Sequence, residues 1–129
     1  MTEQEIEAII NEFLEGFNRM CAESDRAMII RERTYNYESG PSTTTQRYDV
    51  TYMVKKRGKS WKIFAQSKGF WIFKKRFPLV QVKRIQERYT LEGLYVKGKA
   101  PFEPTELKQK LEDYTETCKN LPRDVFINS

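Results

Sequence analysis

The residues of this chain best placed to do chemistry are cations and aromatic rings, and the two kinds are interleaved. Residues 55 to 88 hold 12 of the 23 lysines and arginines, with Glu87 as the only acid, so this segment carries +11 while the rest of the chain sums to −6. Trp61, Phe64, Phe70, Trp71, Phe73 and Phe77 stand in the same segment. Lysine and arginine neutralise phosphates and release condensed counterions, and exposed rings stack on unpaired bases at roughly 1–3 kcal/mol each. The candidate phosphate contacts are therefore Lys55, Lys56, Arg57, Lys59, Lys62, Lys74, Lys75 and Arg76, with Phe64 as the stacking ring. The expected activity is non-enzymatic binding of single-stranded DNA or RNA. The same basic surface would also suit an acidic protein partner, which would make the chain a small inhibitor or adaptor. In a purely structural reading the rings fill the core, the lysines guard strands against edge pairing and the acidic helices balance charge.

Catalytic arrangements are sparse. The chain has no histidine, which removes Ser-His-Asp and Cys-His nucleophile systems, imidazole-ligated zinc and the commonest general base at neutral pH. Asp49 with the later Gln81-Val82-Lys83 has the outline of a metal-dependent nuclease, but such a site needs at least two converging carboxylates. That activity ranks third, and no catalytic residue, metal or cofactor is assigned. Gly93, Gly98 and Lys99 lack the spacing of a phosphate loop. The glutamates at 3, 7, 12, 15 and 23 read as the solvated face of a helix.

The elements that must position the cations can be read from periodicity. Thr2 and Glu5 have capping-box spacing, and Ile6, Ile9, Ile10, Phe13, Leu14, Phe17, Met20 and Cys21 recur at three and four, which predicts a helix over 3–22. Residues 27–37 could prolong the helix or form a strand, their β-branched and tyrosine content favouring the strand, and Ser39-Gly40-Pro41-Ser42 reads as a loop. Tyr48, Val50, Tyr52 and Val54 alternate with polar residues in a second strand. A tight turn at Arg57-Gly58 leads to a third, bearing Trp61, Ile63 and Ala65. Taken as a two-residue turn it pairs 54 with 61, 52 with 63 and 50 with 65, so both apolar rows share a face and Phe64 points away from them.

Lys68-Gly69 predicts another turn, followed by a strand through Phe70 to Arg76, with Pro78 at an edge or a strand end. The face taken by Trp71 and Phe73 depends on the length of that turn. Residues 79–88 are ambiguous, 89–97 read as a strand, and Pro104 opens a second helix that Pro122 stops.

These elements predict one α+β domain over 1–129. Its antiparallel sheet of four to five strands is packed on one face by an N-terminal and a C-terminal helix, against Tyr48, Val50, Tyr52, Val54, Trp61 and Ile63. Met53, Lys55, Lys62, Phe64, Gln66 and part of the Phe70 to Arg76 strand would lie on the open face. The apolar runs are about four residues long, against roughly 18–20 for a membrane span, and the acidic start is unlike a secretory signal. A cytoplasmic protein with no membrane contact is expected, with Cys21 and Cys118 as buried, reduced thiols.

Overall fold

The computed structural model describes residues 1–24, 28–68, 75–121 and 127–128. Helix α1 (Glu3–Glu23) starts as its spacing predicts: Thr2 is extended, and its hydroxyl accepts the Glu5 N–H at 3.2 Å, satisfying one of the donors that every helix start leaves open. Ile6, Ile10, Phe17 and Cys21 form the buried stripe. Strands β1 (Met28–Asn36) and β2 (Gly40–Tyr48) make an antiparallel hairpin, with β7 (Ile127–Asn128) parallel to β1. The strand expected over 27–37 is thus present over Met28–Asn36, and residue 27 lies outside the described residues. The expected loop is shorter than its glycine and proline suggest, because Gly40, Pro41 and Ser42 already belong to β2.

Strands β3 (Val50–Arg57), β4 (Ser60–Ser67), β5 (Arg76–Ile85) and β6 (Arg88–Gly93) form a four-stranded antiparallel meander in that order. Asp49 separates β2 from β3, so the alternation that reads as one strand from Tyr48 onward is divided between two sheets. The turn between β3 and β4 is built from Gly58 and Lys59, one residue later than expected, with Arg57 opposite Ser60. The φ of Gly58 is +57°, a conformation that glycine adopts without a Cβ clash. The register is therefore 54 with 63, 52 with 65 and 50 with 67. A slip of two residues preserves side-chain parity, so the apolar rows still share a face although each predicted pair is displaced.

The chain leaves β4 at Ser67 and returns at Lys75, where the Ser67 N–H donates to the Lys75 carbonyl and the Ser67 hydroxyl accepts the Lys75 N–H. The expected strand through 70–74, and the faces of Trp71 and Phe73, lie outside the described residues. Pro78 is not at an edge. It sits in β5, an inner strand, opposite Phe64 and beside a register shift that leaves Leu79 without a partner on β4. Such a bulge is where an inner strand tolerates a residue that has no N–H. The ambiguous stretch 79–88 becomes the rest of β5, a turn at Gln86 and Glu87, and the start of β6. Strand β6 ends at Gly93, well short of the expected 97, and a bridge from Tyr89 to Phe102 covers its outer side.

A 3-10 turn over Pro104–Glu106 leads into helix α2 (Leu107–Lys119), and both helices cover the same face of the meander. Phe17 of α1 lies at the centre, edge-on to Tyr52 at 4.8 Å between centroids and stacked beside Tyr114 of α2 at 6.1 Å. Tyr52, Trp61 and Ile63 are buried, with Tyr48, Val50 and Val54 partly so. Burying a ring such as Phe17 is worth roughly 1.5–3 kcal/mol. The Asn18 side chain keys α1 to the outer edge of β3. The Asn18 amide donates to the Tyr52 carbonyl and accepts the Tyr52 N–H, both at 2.9 Å. Cys21 and Cys118 are buried, and among the described residues neither forms a disulfide. Among the described residues no helix is long and apolar enough to cross a membrane.

Candidate nucleic-acid interface

Strand β4 sorts its residues cleanly: Trp61, Ile63 and Ala65 are buried beneath the helices, whereas Lys62 is exposed and Phe64 and Gln66 are half-buried on the other side. Antiparallel pairing extends this sorting across the sheet in rows. Thr51, Gln66 and Arg76 form one row. Met53, Phe64 and Pro78 form the next, an apolar strip crossing three strands. Lys55, Lys62 and Gln81 form the third and Glu92 continues it on β6, while Lys83 lies opposite Ser60 in the last. The apolar strip is therefore bordered by cations on both sides.

The Arg76 guanidinium lies over the Phe64 ring at 5.1 Å, an arrangement worth about 0.5–1 kcal/mol at an exposed site. Lys55 and Lys62 face each other directly across β3 and β4. Both are exposed, and neither has a carboxylate partner among the described residues. Like charges directly opposed in a ladder repel. A groove of about 670 Å³ opens beside this pair, lined by Lys62, Phe64, Pro78, Gln81, Glu92 and Lys99 among others.

The nine residues singled out from the sequence do not form one patch. Lys55, Lys62, Phe64 and Arg76 share the open face, while Arg57 and Lys59 flank or form the hairpin tip. Lys56 points the other way. Its ammonium bonds to Glu3, lies 3.7 Å from Glu7 and sits over the Trp61 ring at 5.5 Å. The hydrogen bond to the Glu3 carboxylate, reinforced by both acidic charges, holds Lys56 above the ordinary lysine value. Lys75 turns to Tyr48, donating to its hydroxyl at 3.1 Å from above the ring. Lys74 lies outside the described residues.

No known protein family, curated protein or solved structure matches this chain. What the face can do rests on its own geometry.

Sequence reading did not place Pro78, Gln81, Lys83, Glu92 or Lys99 on this face. A strict period of two cannot find those on β5, because the outward residues run 76, 78, 81, 83 across the bulge. Among the described residues no three acidic or thiol side chains converge as a metal site. Asp49 is exposed between β2 and β3, where its carbonyl accepts the Lys68 N–H.

Proposed function

We propose that the open face of the β3 to β6 sheet binds single-stranded DNA or RNA without chemical turnover. The observation that carries this reading is the apolar row of Met53, Phe64 and Pro78 bordered by Arg76 on one side and by the mutually opposed Lys55 and Lys62 on the other. The opposed lysines destabilise the empty sheet, and a phosphate between them would relieve the repulsion. The ring beside them would give a face to an unpaired base in place of the Arg76 guanidinium that lies over it. Lys56 and Lys75 are engaged on the helix side, with Glu3 and Tyr48 respectively, and have no part in this proposal.

Fluorescence anisotropy with short labelled oligonucleotides over a range of salt concentrations tests it. Replacing Lys55 and Lys62 together by alanine should weaken binding to every strand and flatten the salt dependence by about 0.7 per lost phosphate contact. Phe64→Ala should keep the slope and cost roughly 1–3 kcal/mol, more on unpaired than on duplex ligands. Lys56→Ala should leave affinity unchanged. Thermal melts of each variant separate lost contacts from lost fold. If no oligonucleotide binds at low salt, the proposal fails and an acidic protein becomes the better candidate for this face.

A further inference from the structure

Among the described residues that line the groove of the basic face, the acid is Glu92. Glu92 stands opposite Gln81, which stands opposite Lys62, so the cationic row ends in an amide and a carboxylate. Glu92 is exposed, and among the described residues it has no ion-pair or hydrogen-bond partner, although Lys62 and Lys99 line the same groove. A carboxylate on a surface that holds a polyanion repels it, and one placed to balance charge would pair with a lysine, as Glu3 does with Lys56.

We infer that Glu92 and Gln81 read a guanine base in this groove, an inference that rests on the nucleic-acid reading of the face. An ionised carboxylate only accepts hydrogen bonds, and it offers two parallel acceptors. Among the bases, guanine alone presents two adjacent donors on its pairing edge, the N1–H and the N2 amino group, and these match that fork. Cytosine and adenine present a single amino group, and thymine and uracil a single N–H. The Gln81 amide, next along the row, donates to guanine O6. Glu92 lies two strands and one row from Phe64, roughly 10 Å across the ladder and about 7 Å along it, a span that a purine resting on the ring, one hydrogen bond and the reach of the glutamate side chain cross together. Unstacked bases are commonly read on this edge while their faces stack on aromatic side chains. Pro78 and Lys62 line the same groove as the ring and the carboxylate.

The test compares oligothymidine strands carrying one central guanine, hypoxanthine or adenine, by anisotropy at fixed salt. Hypoxanthine keeps N1–H and O6 and lacks the N2 amino group. The guanine strand should bind about tenfold tighter than the other two, the scale of one good two-point contact to a base. Glu92→Gln should abolish the preference and leave unsubstituted oligothymidine bound as well as before or better. The exposed position should keep its melting temperature unchanged. Equal binding of all three strands by the parent protein would overturn the inference while leaving the nucleic-acid reading intact. So would a Glu92→Gln variant that binds every strand more tightly yet keeps the guanine preference. Absence of binding to any strand would overturn both readings together.

Discussion

Tyr114 carries its phenol into the core, flanked by Phe17 and by Cys118 one helical turn further along α2. Burial is the main reason its ionisation is pushed far above the ordinary tyrosine value. The consequence for stability has a definite sign. Above about pH 10 an unfolded Tyr114 loses its proton and the folded one keeps it, so the native state binds more protons and stability falls as pH rises. This contribution is intact below pH 10 and declines above it, by at most about 1.4 kcal/mol for each pH unit. Urea melts between pH 8 and pH 11 should show a steeper alkaline loss in the parent than in Tyr114→Phe; parallel curves would mean that the phenol reaches water without unfolding. At this scale the sequence is uneven in what it discloses. The outward aim of Phe64 follows from alternation along one strand and survives a register error of two residues. The partners of Lys56 do not, because Glu3 and Glu7 lie some fifty residues away and only the docking of α1 on β3 brings them there.

The register shift in β5 shapes the sheet. Leu79 and Val80 are both buried, so the strand spends two consecutive residues on the core side, and Gln81 then resumes the outward row that Pro78 left. This doubling defeats period-two reading over 79–88, where neighbouring apolar residues look equally like strand or helix. The bulge depends on Gly93. A Cβ there would lie 2.3 Å from the Leu79 carbonyl oxygen, and the backbone φ is +144°. That carbonyl also accepts the Leu94 N–H at 2.9 Å, which limits how far it can retreat. Gly93→Ala should therefore cost at least about 2 kcal/mol in a urea melt, through strain and displacement of the bulge together. Gly16→Ala, where nothing beyond the helix's own backbone and the neighbouring residues lies within 4 Å of the new methyl group, should instead stabilise α1 by about 0.5–1 kcal/mol. Similar losses at both positions would contradict this account of the bulge. Helix α1 was legible to within a residue at its ends and α2 to within about three, since caps and periodicity are local. The shape of β5 was not, because a bulge is settled by what neighbouring strands accept.

On the scale of the whole molecule charge is segregated along the chain, +11 within 55–88 against −6 elsewhere. Summed charge survives errors in register, so it could be read when the geometry could not. The fold class was legible for a related reason: two amphipathic stripes and alternating strands have few ways to bury their apolar sides. The sequence does not disclose how α1 is keyed to the sheet, because an asparagine on a helix signals nothing about a strand 34 residues later. That key makes Tyr52 a reporter of motion. Backbone N–H groups on the outer edge of a sheet ordinarily exchange with solvent through small local openings. The Tyr52 N–H is held by a helix side chain, so it is released only when α1 lifts from β3. In deuterated buffer it should exchange as slowly as the inner amides of β4, in step with global unfolding. Asn18→Ala should let it exchange early and cost about 1–3 kcal/mol for the orphaned backbone groups. Slow exchange at Tyr52 in that variant would show that another contact keeps the edge closed. A single proton can thus time the parting of helix from sheet.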